Sequence, residues 1–281
     1  MLYRMKKIAA CMLAALCFSC GWGTARGAAE ERDETPLLVL MYHQLLPKAK
    51  SKYIVDPEIL EKDLALLKES GYASVTSSEV IDYVNAGGTL PEKPVLITFD
   101  DGHYNSWYYG KDILEKYGFT ALISVIGRYS ENSTVNGTGG HVNYSYLTWE
   151  EIEKAAACGT FEIGNHSFDM HNYKPRFGAK QKQGESDEDY AIALKRDTEK
   201  LQNVLSEKCG VKPKVYAFPF GAYNSLTKQI LSEEGFSMML TCNEGVSIIK
   251  RGEPTCLYQV KRYNRGSAVD LKKIIKEQNV R

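Results

Sequence analysis

Carboxylates and imidazoles that could hold a metal ion are concentrated in two short stretches of the sequence. Asp100 and Asp101 directly follow one apolar run, and His166 and His171, five positions apart, follow another. One carboxylate and two imidazoles are a common ligand set for a catalytic divalent cation, and they leave positions open for water and substrate. A helix would turn two side chains five positions apart about 140° away from each other, so a loop must bring the histidines together.

The neighbouring carboxylate suggests how such a metal ion would be used. Side chains alternate along a strand, so Asp100 and Asp101 point in different directions and can do different jobs. One can be a metal ligand while the other acts as a general base. The ordinary interpretations are an Asp-Gly turn and two unrelated surface histidines. Finding both patterns at strand ends favours the metal site.

Two further candidates follow other apolar runs. A histidine such as His43 more often makes structural hydrogen bonds, but opposite a metal site it is a candidate general acid. The turn at Pro219–Gly221 could present the main-chain N–H of Phe220 to an oxyanion, although alone it is an ordinary turn. His103 and His141 are interpreted as non-catalytic.

The elements that must position these residues alternate between strand and helix. The expected strands are Leu37–His43, Val95–Phe99, Thr120–Ile126, Phe161–Gly164, Val215–Phe218 and Met238–Thr241, and the expected helices are Asp56–Ser70, Tyr108–Tyr117, Trp149–Cys158, Ser186–Lys208 and Ser225–Glu234. This alternation is typical of an α/β protein with a parallel sheet. The number of repeating units favours a distorted (β/α)7-type barrel in a single domain, with chemistry at the carboxyl ends of the strands.

Two stretches do not fit this alternation. Tyr129–Tyr146 is polar and rich in glycine, and His171–Asp187 contains Pro175 and Gly178. Both are long for connections between a strand and a helix, and long loops are often functional. Both are therefore candidate functional loops, and the first is a candidate to shape the substrate groove.

Composition excludes several classes of protein. Among 281 residues, Lys and Arg number 35 and Asp and Glu number 35, so no excess of positive charge is present to hold nucleic acid. A hydrophobic content of 43% and a charged content of 25% are those of a folded domain, not of a disordered chain or a coiled coil.

The N-terminal 29 residues have the pattern of a secretory signal. Basic residues precede the apolar run Ile8–Cys20, which is shorter than the ~20 residues needed to span a bilayer. We expect secretion or a cell-surface location, a mature catalytic domain over 30–281, and no membrane span after the signal is removed. A lipid anchor at Cys20 is a less favoured alternative. In an oxidising compartment Cys158, Cys209, Cys242 and Cys256 could pair in any of three ways.

Together, these residues resemble the polysaccharide deacetylases, carbohydrate esterase family four. The matching motifs are Thr98-Phe99-Asp100-Asp101-Gly102, His166-Ser167-x-x-x-His171 and Phe218-Pro219-Phe220-Gly221. The early Val39-Leu40-Met41-Tyr42-His43, like the five-residue histidine step, resembles the branch that includes poly-N-acetylglucosamine deacetylases. The resemblance runs from about Pro36 to the C-terminus.

The resemblance implies a metal-dependent hydrolase that removes N-acetyl groups from sugars. Asp101, His166 and His171 would hold Zn²⁺, or Co²⁺, Ni²⁺ or Fe²⁺ in its place. Asp100 would be the general base and His43 the general acid.

The remaining implied roles concern charge and orientation. The Phe220 N–H would face the developing oxyanion. Many relatives carry an arginine that orients the base at the position of Ala217, and Arg262, on a later strand end, is the candidate replacement.

The sequence leaves the substrate open. The expected partner is an N-acetylated polysaccharide: peptidoglycan, poly-N-acetylglucosamine or chitin-like material. The alternatives are an O-acetyl esterase acting on acetylated xylan or a similar glycan, and an inactive sugar-binding relative. The protein is expected to be a monomer.

Overall fold

The structure, a computed structural model, describes residues 33–85 and 87–278, so the expected signal segment lies outside the described residues. The strands are β1 (Glu34–Tyr42), β2 (Gln44–Leu45), β3 (Ile54–Val55), β4 (Ala73–Ser74), β5 (Pro94–Phe99), β6 (Ala121–Val125), β7 (Phe161–Asn165), β8 (Val215–Ala217), β9 (Met238–Leu240), β10 (Ser247–Lys250) and β11 (Tyr263–Asn264). The helices are α1 (Pro57–Glu69), α2 (Ser77–Val84), α3 (Tyr104–Tyr117), α4 (Gly127–Val135), α5 (Trp149–Ala157), α6 (Asp187–Cys209), α7 (Ser225–Glu233) and α8 (Leu271–Gln278). Two short 3₁₀ turns cover Pro219–Gly221 and Pro254–Leu257.

The main sheet is a curled array of parallel strands. Its neighbours follow the order β11-β1-β5-β6-β7-β8-β9, and every one of these pairs is parallel. A segment at residues 260–265, which we call the closing segment, links the two edges of this sheet. Val260 bridges to Leu240 at the end of β9, and β11 pairs with β1. The expectation of an α/β barrel in one domain is therefore confirmed, with a sheet that is closed only by this short segment.

Alternation along the strands separates two layers of the core. One apolar cluster fills the barrel, and its strand members are Leu37, Val39, Leu96, Leu122, Val215, Ala217, Met238, Leu240 and Ile249. A second cluster lies between the strands and helices α1, α3, α5 and α6, and includes Leu38, Leu40, Ile97, Ile123 and Phe161. Strands that are buried on both faces read as continuous apolar runs, which explains why the sequence showed no polar alternation.

Several elements were not expected from the sequence, among them α2, β10 and α4. Helix α2 begins with a capping box between Thr76 and Glu79, which is a local sequence signal for the start of a helix. Strand β10 runs antiparallel to the start of β1. Helix α4 occupies the start of the stretch Tyr129–Tyr146, where we expected a loop. Its sequence has low helix propensity, but Ser130 and Ser133 are buried, so tertiary packing overrides propensity there.

The other expected loop is irregular throughout. The chain from 171 to 186 forms neither helix nor strand before α6 begins. Within the described residues, Cys158, Cys209, Cys242 and Cys256 are free thiols, and no helix is long and apolar enough to cross a membrane.

Candidate active site and metal centre

The candidate site lies at the carboxyl ends of the barrel strands. In β5, Leu96 and Thr98 are buried toward the barrel interior, and Asp100 is the next residue on that face. Its backbone N–H donates to the carbonyl of Tyr42, which puts the end of β5 beside the end of β1 and hence beside His43. The N–H of His166 donates to the carbonyl of Val125, so β7 ends at the same level. Strand register therefore gathers residues that are far apart in the sequence.

Asp101 turns out of the strand through a left-handed backbone conformation, with φ of 74°. Gly102 continues the turn at the same φ, and a Cβ there would come within 3.2 Å of the Val125 backbone, so this exit needs glycine. The turn carries the Asp101 carboxylate toward the histidines. Its Oδ1 lies 3.4 Å from Nε2 of His166 and 3.3 Å from Nε2 of His171.

These three side chains form a compact group of donors. One ligand atom from each of Asp101, His166 and His171 can be chosen so that all three lie within 4.8 Å of one another, a spacing that fits one cation. His166 Nδ1 donates to the carbonyl of Ala217 at 2.8 Å, which leaves the Nε2 lone pair for a metal ion. Burial lowers the pKa of His171 to about 4, so its imidazole is neutral and available as a ligand at neutral pH. The chemistry of this donor set fits a divalent metal ion.

Arg262, from the closing segment, forms a bidentate ion pair with Asp100. Its Nη1 and Nη2 donate to the two carboxylate oxygens, each at 2.7 Å, and both side chains are buried. Nε donates to the carbonyl of Thr241, which fixes the plane of the guanidinium group. Burial acts to raise the pKa of Asp100, but Arg262 and His166 outweigh it and hold the pKa below its ordinary value. Asp100 is therefore ionised and held in one orientation.

The loop between the two histidines is held by a carboxylate from α6. Asp197 accepts the backbone N–H of Phe168 at 2.8 Å and that of Asp169 at 2.7 Å. Burial raises the pKa of Asp197 to about 6 despite these two donors. Since the loop begins and ends at candidate metal ligands, the two bonds to Asp197 contribute to the placement of His166 and His171.

His43 lies on the β1 side of the site. Its ring meets the edge of Tyr53 at 4.9 Å, and its buried Nδ1 has no hydrogen-bond partner in the part of the chain that the structure describes. Burial lowers the pKa of His43, and Asp100 and Asp101 oppose that effect only in part. The ring is thus close enough to Asp100 and Asp101 to be affected by their charges. Its Nδ1 makes no structural hydrogen bond to the described residues.

Phe220 lies in the 3₁₀ turn Pro219–Gly221 that follows β8. Its φ of 57° is left-handed, and its ring packs on His171 at 4.2 Å. The next residue, Gly221, also has a positive φ, and a Cβ there would come within 3.2 Å of the Cys242 backbone N. This tight turn fixes the direction of the Phe220 main chain.

The structure thus brings all seven residues singled out by the sequence to one end of the barrel: His43, Asp100, Asp101, His166, His171, Phe220 and Arg262. Their catalytic roles stay predictions.

Sequence reasoning missed two neighbours of the site. His103 was set aside, yet its Nε2 lies 3.6 Å from Asp101 Oδ2 and its ring stacks on Tyr146 at 4.5 Å. Its adjacency to the Asp100-Asp101 pair was the available signal. Asp197 was missed because nothing in the long helical pattern of α6 distinguishes it from other surface acids.

Known proteins similar to this chain point in the same direction. The sequence profile for polysaccharide deacetylase matches residues 87–239. Poly-beta-1,6-N-acetyl-D-glucosamine N-deacetylase of Escherichia coli (strain K12) is 24% identical over 206 residues, which are 67% of this chain and 31% of that protein. The protein of the same name from Staphylococcus aureus (strain MRSA252) is 23% identical over 197 residues, 70% of this chain and 64% of its own length. This chain therefore spans about a third of the Escherichia coli relative and under two thirds of the Staphylococcus aureus one.

Solved structures share the fold. IcaB from Ammonifex degensii superposes with a TM-score of 0.67 at 28% identity, covering 82% of this chain and 92% of that one. The de-N-acetylase from Aggregatibacter actinomycetemcomitans superposes with a TM-score of 0.71 at 20% identity, covering 86% and 99%. At the lower identity, the likeness shows the fold alone.

Proposed function

This chain belongs to the polysaccharide deacetylase family, and from that premise we propose that it is a metal-dependent hydrolase that removes N-acetyl groups from a polymer containing N-acetylglucosamine. One observation carries the proposal: the ligand atoms of Asp101, His166 and His171 lie within 4.8 Å of one another beside an arginine-bound Asp100. A protein that only bound sugar would need no such arrangement. The names of the relatives support poly-N-acetylglucosamine as the substrate class.

The reaction requires that an unreactive amide be attacked by water. Asp101, His166 and His171 would hold a divalent ion, for which we propose Zn²⁺. When bound, the ion supplies Lewis acidity, which makes water a stronger acid and stabilises negative charge on the acetyl oxygen.

Asp100 is the proposed general base. Its carboxylate stays ionised because Arg262 lies against both oxygens. Each oxygen retains a second lone pair, so Asp100 can accept a proton from water without losing its orientation. Arg262 acts as a positioning residue, since Asp100 is the one proposed reacting group to which it donates hydrogen bonds within the described residues.

His43 and Phe220 complete the proposed machinery. The amine of the sugar is a poor leaving group and must be protonated as the C–N bond breaks, and the His43 ring in its protonated, imidazolium form would deliver that proton and return to neutral imidazole. The Phe220 N–H would donate to the developing oxyanion, held in place by the tight turn at Gly221.

Metal dependence and substrate can be tested together by measuring acetate release. The substrates are oligomers of β-1,6-linked N-acetylglucosamine, chitin oligomers, peptidoglycan and acetylated xylan. We expect release from the N-acetylated glycans, loss of release after chelation, and recovery when Zn²⁺, Co²⁺, Ni²⁺ or Fe²⁺ is returned. Release from acetylated xylan alone would identify an O-acetyl esterase, and glycan binding without release from any substrate would identify an inactive sugar-binding relative.

Variants separate the two aspartates. Asp100→Asn should retain the metal ion and lose about 10²- to 10⁴-fold in kcat, whereas Asp101→Ala should lose both metal and turnover. Asp169→Asn is the matched control, because this carboxylate is in the same loop but pairs with Arg128 instead. If Asp101→Ala bound metal as tightly as the control, the proposed ligand set would be wrong.

Secretion is part of the proposal. The signal-like pattern of residues 1–29 and the extracellular nature of such polymers support it. Fractionation of cells that express the whole chain, with a chain starting at Glu30 as control, would test it.

A further inference from the structure

Two exposed aromatic side chains lie beside the candidate metal centre and have no place in the proposed chemistry. Tyr173 and Phe177 belong to the irregular chain after His171, and 72% and 48% of their surfaces are exposed. Both stack on Phe220, Tyr173 at 4.4 Å and 21° and Phe177 at 5.3 Å and 14°. We call Tyr173, Phe177 and Phe220 the aromatic platform.

The platform is continuous with the metal centre. Phe220 also packs on the ring of His171 at 4.2 Å. Only one ring, that of Phe220, therefore stands between the exposed faces of the platform and a proposed ligand. A molecule resting on the platform would extend directly from the site where the acetyl group is cleaved.

The loop that carries the platform is anchored to the protein. Gly178 approaches the Pro219 carbonyl so closely that a Cβ would lie 2.3 Å from the oxygen. Arg176 forms a bidentate ion pair with Glu185, and both side chains are nearly buried. Tyr190 Oη donates to the carbonyl of Ala179 at 2.7 Å. The exposed rings are thus held in advance of binding, which reduces the entropy that a ligand must overcome.

The chemistry of the platform fits a sugar ring. Aromatic faces carry partial negative charge and attract the polarised C–H groups that line one face of a pyranose. Neither ring carries a charge, which suits a neutral N-acetylated sugar. We propose that Tyr173 and Phe177 form a sugar-binding subsite, which holds a pyranose next in the chain to the residue being deacetylated. This inference rests on the proposed function for the identity of that chain.

Kinetics on long and short substrates test the subsite. With a β-1,6-linked N-acetylglucosamine pentamer, we expect the Tyr173→Ala/Phe177→Ala double variant to raise KM about tenfold, as loss of one stacking contact would. With 4-nitrophenyl acetate, which has no second sugar to occupy the proposed subsite, kcat/KM should stay within about twofold of the parent. Tyr173→Phe should behave like the parent, because it keeps the ring.

A matched control is available on another aromatic cluster. Tyr108 is 53% exposed and its ring packs against those of Tyr104 and Tyr109 on α3, so Tyr108→Ala should leave the KM for the pentamer unchanged. An equal loss on the pentamer and the small ester in the double variant would show that the loop only supports the metal centre, and would overturn the subsite.

The failure of the subsite and of the proposed function can be told apart. If the parent releases acetate from the pentamer and the double variant has the same KM, the subsite is wrong and the proposed function stands. If the parent releases no acetate from any glycan, the proposed function is wrong. Calorimetry then decides the subsite: pentamer binding that the double variant abolishes supports it, and no binding to the parent overturns it.

Discussion

Two arginines of the closing segment each form a bidentate ion pair with a buried aspartate. Arg262 donates to both oxygens of Asp100 at 2.7 Å, and Arg265 donates to both oxygens of Asp63 at 2.8 Å. All four side chains are buried. By distance and burial the two pairs are nearly identical, although Arg262 donates through Nη1 and Nη2 and Arg265 donates through Nε and Nη2.

Their surroundings give them different properties. Asp100 also faces His166 and His43, and its pKa lies below the ordinary value although burial acts to raise it. Asp63 accepts the hydroxyl of Tyr42 at 2.6 Å, and burial raises its pKa in spite of Arg265. A buried arginine–carboxylate pair therefore does not by itself mark an active site. The other groups around the carboxylate decide whether it takes part in catalysis or only stabilises the fold.

The largest effect on turnover is expected when Arg262 loses its bidentate contact with Asp100. Lysine keeps the charge but cannot hold both oxygens of Asp100, so Arg262→Lys should lower kcat by about 100-fold. Acetate release and metal content measure the effect, and metal content should not change. A kcat equal to that of the parent would mean that Asp100 does not need its orientation.

The second change is made at the other pair. Arg265→Met leaves the Asp63 carboxylate buried without its cation, so the free energy of unfolding should fall by about 3–5 kcal/mol. The kcat of the folded protein should stay within about twofold, because Asp63 does not touch the site. Urea denaturation and acetate release measure the two quantities. A loss of kcat as large as that of Arg262→Lys would show that the Asp63–Arg265 pair is also needed for catalysis.

A double variant provides the control for that experiment. Asp63→Leu/Arg265→Met replaces both charges, so it should recover much of the stability lost by Arg265→Met alone. The equivalent replacement of Asp100 and Arg262 should not recover activity at all.

The residues at the strand ends could be predicted from the sequence, whereas the pairing of the arginines with the aspartates could not. The strands and the pairs of residues at their ends were predictable, because apolar runs and their terminal Asp100-Asp101 and His166 are local signals. The partner of Asp100 was not, since 162 residues separate it from Arg262. Arg262 and Arg265 lie three positions apart with no local feature to distinguish them, and only the resemblance to known deacetylases favoured Arg262. Which arginine meets which carboxylate is set by how the closing segment pairs with β1, a long-range contact.

A third carboxylate, that of the half-buried Asp197, is held without an arginine. Asp197 is held by two backbone N–H groups, and burial raises its pKa from 3.8 to about 6. The folded protein therefore binds this proton more tightly than the unfolded chain does. Between pH 3.8 and about 6, the contribution of Asp197 to the free energy of unfolding should fall as the pH rises.

Urea denaturation of the metal-free protein between pH 4 and pH 7 tests this expectation, with metal removed so that its binding does not add a second pH dependence. Asp197→Asn cannot titrate, so the stability difference between parent and variant should change across the window by up to about 3 kcal/mol. A difference that is constant with pH would mean that Asp197 titrates at its ordinary value.

The smallest change removes a single hydroxyl from the structural pair. Tyr42→Phe leaves Asp63 bound to Arg265 but without the hydrogen bond at 2.6 Å, which should cost about 1.5 kcal/mol of unfolding free energy. Tyr42 is also the residue before His43, so acetate release tests whether the pair reaches the site through β1. Because Tyr42 packs in the outer layer while His43 faces the barrel, the pH profile of kcat should keep its shape. A displaced profile would show that the Asp63 pair does serve the chemistry, and the two arginines would then have one role instead of two.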